Sequence, residues 1–73
     1  MPTKIEALGA LYTAIDTALT TSSAVYPSLA GTNDEAAHFR AHCALKTMLS
    51  EIGAAYHAAL LQREEDAYLA TLS

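Results

Sequence analysis

The sequence predicts an all-α fold, a helical hairpin in which a short helix, a loop and a long helix form one domain over residues 1–73. Residues 34–72 contain no proline, one glycine and many alanines and leucines, which is typical of one long helix. Residues 3–22 repeat apolar side chains at helical spacing, and a stretch with proline and glycine separates the two segments. We expect helices over about 3–23 and 33–72, joined by a loop over about 24–32.

The length of the second helix predicts self-association. At 1.5 Å per residue it spans roughly 60 Å, whereas a compact chain of this size has a radius of gyration of about 11 Å. The first helix offers about half that length of cover. Some apolar residues of the second helix therefore lie where the first helix cannot cover them. We expect a second chain to cover them in an antiparallel, coiled-coil-like four-helix homodimer, the smallest closed assembly.

The first helix begins with a capping signal and ends before a proline. Thr3 and Glu6 have the spacing at which each side chain can bond a free backbone N–H group. The run of threonine and serine over 20–23 weakens helix propensity, and Pro27 disfavours helical backbone at the preceding residue. We therefore predict that the first helix ends between Thr20 and Val25.

Both helices carry apolar residues at alternating spacings of three and four, the pattern of a coiled-coil seam. Gly53 lies among alanines, which predicts close approach of another backbone near Ala55, Ala58 and Ala59; the alternative is a glycine that only weakens the helix. The predicted self-association interface consists of Ile5, Leu8, Tyr12, Ile15, Leu19, Leu45, Leu49, Ile52, Gly53, Tyr56, Ala59 and Leu60.

The second helix has its own start signal, with Thr32 or Asn33 as the cap and Asp34 and Glu35 in the first turn. A break at Gly53 would instead produce a three-helix bundle. We do not favour that alternative, because its neighbours are not turn residues.

The polar run over 62–66 interrupts the seam near the carboxyl end. Leu61, Tyr68 and Leu72 share one helical face beyond or beside it. Either this end is a solvated tail, or these three side chains form a patch for a protein partner.

Glu35, His38 and His42 form the one group with metal-ligand chemistry, because spacings of three and four place them on one helical face. Half of a di-iron or di-manganese site in a helical bundle has a carboxylate and a histidine at such spacing. The interpretation that we favour is that both histidines pack beside the seam, and a third possibility is that they sense pH. We predict no metal and no cofactor, and keep the three residues as candidates.

Composition and charge exclude several classes of protein. Four basic and eight acidic residues offer no cationic stripe for nucleic acid, and the longest apolar stretch, 52–61, is too short to span a membrane. The amino terminus does not resemble a secretion signal. The single cysteine, Cys43, permits no internal disulfide and is expected to be buried, so we expect a cytoplasmic protein.

The sequence predicts a non-enzymatic protein. It contains neither a nucleophile elbow nor a phosphate-binding loop. The function we expect is a small protein-binding module, accessory, regulatory or inhibitory, that acts as a homo-oligomer on a larger, unidentified protein. Two alternatives stay open: a subunit of a ring or phage-like assembly, and a ferritin-like metal-binding oxidase that uses Glu35, His38 and His42.

Overall fold

The computed structural model describes residues 2–72, which form two α helices that pack against each other, α1 (Lys4–Leu29) and α2 (Glu35–Leu72). The predicted all-α helical hairpin is confirmed. The molecule measures 62 × 20 × 16 Å and has a radius of gyration of 17.4 Å, far above the roughly 11 Å of a compact chain. Its length is that of α2 alone, since 38 residues span about 57 Å.

Helix α1 begins as predicted, with Thr3 as its cap. The Thr3 hydroxyl accepts a hydrogen bond from the backbone N–H of Glu6 at 3.1 Å, which satisfies a donor that lacks a partner within the helix. The Glu6 carboxylate returns to Thr3 but accepts from its hydroxyl, at 3.2 Å, rather than from its backbone N–H.

The predicted end of α1 is wrong: the helix continues to Leu29 and includes Pro27. The hydroxyls of Thr20 and Thr21 donate to the carbonyls four residues earlier, at 3.0 Å each, and so remain compatible with the helix. The last turns are also held from outside, because Ser22 and Tyr26 both bond side chains of α2. Tertiary contacts therefore override the local preferences of this segment.

The turn between the helices is shorter than predicted. Gly31 has a φ of +78°, a conformation that side chains disfavour, and Thr32 bonds back to the Leu29 carbonyl at 2.6 Å. Helix α2 starts at Glu35, after the predicted caps, and the carbonyl of Asp34 accepts from His38 N–H at 3.0 Å.

Helix α2 is unbroken from Glu35 to Leu72, so the three-helix alternative is wrong. Gly53 lies inside it and faces α1. Across residues 2–72, neither helix contains a stretch that is both long and apolar enough to cross a membrane.

The two helices meet along one seam with heptad spacing. Among the described residues only Ile15 and Ser22 are buried. All the remaining members of the predicted self-association interface are half-buried. Those residues therefore line the contact between α1 and α2 of one chain, which leaves open the surface that a second copy would use.

Candidate functional site

Two tyrosines and two glycines form the centre of the helix contact. A Cβ atom at Gly53 would lie 3.2 Å from Cε2 of Tyr12, and one at Gly9 would lie 3.1 Å from the hydroxyl oxygen of Tyr56. The two rings lie beside each other with centroids 6.2 Å apart. Each helix thus offers a glycine to the tyrosine of the other. Gly53 does mark a close approach, but to an aromatic ring rather than to a backbone.

Near the turn the seam becomes polar. The hydroxyl of Ser22 lies 3.0 Å from Nε2 of His38 and 3.0 Å from Nδ1 of His42, and Nε2 of His38 also lies 2.7 Å from the Ser22 carbonyl oxygen. A carbonyl oxygen can only accept, so Nε2 of His38 carries the proton. The Ser22 hydroxyl is then free to donate to Nδ1 of His42. The side chains of Ser22, His38 and His42 thus form one hydrogen-bonded layer across the seam.

The tyrosine and glutamate beside this layer close the end of the hairpin. The Tyr26 hydroxyl donates to Oε1 of Glu35 at 3.2 Å, and the backbone N–H of Gly31 donates to Oε2 at 3.2 Å. The imidazole of His38 lies beside two other rings, with its centroid 5.6 Å from that of Tyr26 and 5.8 Å from that of His42. This cluster ties the turn and both helices together.

All three metal candidates take part in these hydrogen bonds near the turn. Glu35 is directed to Tyr26 and Gly31, whereas His38 and His42 are directed to Ser22. Within residues 2–72, no group of three or more histidine, cysteine, aspartate or glutamate side chains is placed to hold a metal ion. The contacts of these residues are those of a packing layer.

An open apolar groove runs along one side of the seam. Its floor includes Tyr12 and Gly53, and Lys46 and His57 lie on its α2 side. The remaining lining residues are Leu19, Leu49, Ser50, Tyr56 and Leu60. Half of the predicted self-association residues therefore remain reachable from this side.

The carboxyl end of α2 extends past the start of α1. The first residues of the hairpin, from Thr3 to Ile5, border α2 at positions 59–66, and α2 then continues to Leu72. Leu61, Tyr68 and Leu72 are 51%, 64% and 67% exposed. Their three side chains form the carboxyl-end patch, which is helical and solvent-exposed.

Cys43 is exposed, so the prediction of a buried cysteine is wrong. It follows His42 by one helical step of about 100° and shares the heptad row of Ser50 and His57, which line the groove side of α2.

Ser22 and Gly9 are the seam residues that the sequence analysis missed. Ser22 and Tyr26 continue the spacing of Ile15 and Leu19 by three and four, and Glu35, His38 and His42 do the same ahead of Leu45. This spacing alone was enough to predict a polar layer at the turn end of the seam. The spacing does not indicate that Gly9 lies in the seam, because its contact depends on Tyr56 of the facing helix.

Comparisons of this chain with protein-family models, with curated proteins and with solved structures found no match.

Proposed function

We propose that this chain is a small non-enzymatic protein-binding module that forms a homodimer and acts as an accessory, regulatory or inhibitory protein on a larger protein partner. The observation that carries the proposal is the exposure of its apolar residues. Large hydrophobic side chains at least 40% exposed are Leu11, Val25, Tyr26, Phe39, Met48, Leu61, Tyr68, Leu69 and Leu72.

Energetics support an assembly. A two-helix layer of this size buries little apolar surface, and chains of this length are marginally stable without a staple or a partner. The chain has one cysteine and so no internal disulfide. Pairing would remove exposed leucine, valine and methionine side chains from water, at roughly 25 cal/mol per Å² of apolar surface.

The carboxyl-end patch supports a separate partner surface. Tyr68 and Leu72 lie where α2 has passed the end of its own α1, and Leu61 faces away from the seam, so packing within the chain leaves all three side chains exposed. Exposed apolar side chains on one face of a helix can bind a protein by inserting into a groove on its surface. The acidic run over 62–66 beside it would favour a partner with basic groups around that groove.

The alternatives have less support. A ferritin-like oxidase needs several carboxylates and histidines directed at one point, whereas Glu35, His38 and His42 bond the turn and Ser22. A ring or phage-like assembly would require a heterologous contact between two different faces, and no observation favours one. The exposed lone thiol of Cys43 suits a reducing compartment, so we propose a cytoplasmic location.

The partner surface can be tested with a matched pair of variants. Tyr68→Glu places a charge in the carboxyl-end patch, and Ala70→Glu places the same charge on another face of the same turn. Proteins captured from a cell extract by the unmodified chain and by Ala70→Glu, but lost with Tyr68→Glu, are then purified and their affinity measured by calorimetry. Identical capture by all three chains would contradict the proposed patch.

A further inference from the structure

The two sides of the seam differ in chemistry. With Ile5 and Glu35 at heptad position a, the e positions flank the open groove and the g positions flank the opposite side in both helices, because antiparallel helices place g beside g. The e positions include the charged residues Asp16 and Lys46 as well as the apolar residues Phe39 and Leu60, so this side is mixed. The g positions from Leu11 to Val25 in α1 and from Ala41 to Ala55 in α2, which we name the g face, are Leu11, Ala18, Val25, Ala41, Met48 and Ala55. Lys4 and Gln62 occupy the next pair of g positions, at the open end of the hairpin.

We propose that a second copy of this chain covers the g face; this rests on the proposed homodimer and assigns its surface. Leu11, Val25 and Met48 are 45%, 40% and 44% exposed, and all three alanines are exposed. No g-face residue carries a charge, and the one charged residue at a g position of α1 or α2 is the basic Lys4, whereas the chain as a whole has a net charge of −4. Two acidic chains therefore approach each other with least repulsion through this face.

The exposed area fits one partner of this kind. The chain exposes 5426 Å², whereas a compact monomer of its mass exposes about 4,300 Å². The excess of roughly 1,100 Å² is comparable to the roughly 800 Å² per partner that a standard interface buries. A second copy that covers one face is therefore enough to bury most of this excess area.

The g face is also complementary to itself. The register of the hairpin places Tyr12 opposite Gly53 and Ser22 opposite His42, so each layer of the g face pairs a large residue of one helix with an alanine of the other. The layers are Leu11 with Ala55, Met48 with Ala18, and Val25 with Ala41.

This pattern selects one arrangement of the dimer. If the two-fold axis runs parallel to the helices, α1 of each copy faces α2 of the other, and every large g-face residue meets an alanine. An axis perpendicular to the helices would instead bring Met48 against Met48 and Ala18 against Ala18. The parallel axis places both turns at one end of the dimer and both carboxyl-end patches at the other.

The face is tested by Ala18→Arg, with Ser23→Arg as the control on the e side of the same helix. Both positions are exposed in the hairpin, so either arginine is compatible with the fold of one chain. An arginine buried in the dimer would raise the dimer dissociation constant about 100-fold or more, and the control would leave it within a few-fold. Loss of the dimer in Ser23→Arg, with Ala18→Arg unaffected, would overturn the g face.

The arrangement is tested without changing either face. A spin label at Asn33, in a chain whose Cys43 is replaced by serine, reports the distance between the two turns. We expect less than about 30 Å for turns at the same end, whereas turns at opposite ends would be about 45 Å apart. The longer distance would overturn the proposed axis even where Ala18→Arg fails to fold. A native mass of one chain at every concentration would instead contradict the homodimer itself.

Discussion

The ring of Tyr12 packs against Gly53 of the facing helix, so that a Cβ atom at Gly53 would lie 3.2 Å from the ring carbon Cε2. Tyr56 lies against Gly9 in the same way. This reciprocal contact explains why a glycine interrupts a helix that is otherwise rich in alanine. The helix propensity lost at Gly53, about 1 kcal/mol, is offset by the close packing of the ring.

Gly53→Ala should therefore stabilise the protein only when the ring is removed. In the unmodified chain the new methyl group must displace Tyr12, and we expect no gain in the free energy of unfolding. In a Tyr12→Ala background we expect a gain of about 1 kcal/mol from helix propensity. Urea denaturation of the four chains at one protein concentration measures both values.

Ala54→Gly, at the exposed neighbouring position, is the control for that cycle. It should cost about 1 kcal/mol in both backgrounds. The same gain from Gly53→Ala with and without the Tyr12 ring would show that the ring does not constrain this position.

Ser22→Ala should destabilise the hairpin by about 1–2 kcal/mol, because it removes the hydroxyl that bonds Nδ1 of His42, whereas Nε2 of His38 keeps its bond to the Ser22 carbonyl. Ser23→Ala is the matched control, since Ser23 is exposed in the same turn and should change stability little. Thermal and urea denaturation monitored by circular dichroism compare the two. Equal effects would mean that the polar layer contributes nothing beyond helix propensity.

Pro27→Ala should raise the free energy of unfolding by about 1 kcal/mol or more. Pro27 lies inside α1 and supplies no N–H for the carbonyl of Ser23, whereas alanine at this position can donate that hydrogen bond. Part of the gain is offset because the unfolded chain becomes freer. A decrease in stability, with Ser28→Ala as a neutral reference, would show that α1 does not extend through this turn.

Cys43 should react with a thiol reagent in the folded protein at nearly the rate measured in denaturant, because its side chain is exposed. Its heptad position lies on the side of α2 away from the g face, so a dimer through that face leaves the thiol free. Strong protection of Cys43 at concentrations where the dimer forms would place the interface on the groove side instead.

Much of the hairpin could be predicted from local patterns. The start of α1 depends on the local pair Thr3 and Glu6, and the seam follows from residue spacing. Both features could therefore be predicted from the sequence. The end of α1 was not, because Ser22 and Tyr26 bond residues that lie far along the chain. Propensity at these positions predicts a helix end, and the tertiary hydrogen bonds stabilise the opposite outcome.

The candidate surfaces were harder to predict than the fold. The sequence identifies apolar seam positions but does not say whether they meet the other helix of the same chain or a second copy. The structure places Ile15 and Leu19 against α2 and leaves Leu11 and Met48 exposed. Which g residue faces which depends on the register between the helices, and that register is set by contacts such as Tyr12 with Gly53.

Whether the hairpin is half of a homodimer is decided by its native mass. Sedimentation equilibrium over a dilution series, from millimolar to submicromolar protein, measures it without any label or substitution. We expect twice the chain mass of 7.7 kDa at the higher concentrations, with dissociation on dilution. A mass of 7.7 kDa throughout, in a chain that still unfolds cooperatively, would contradict it.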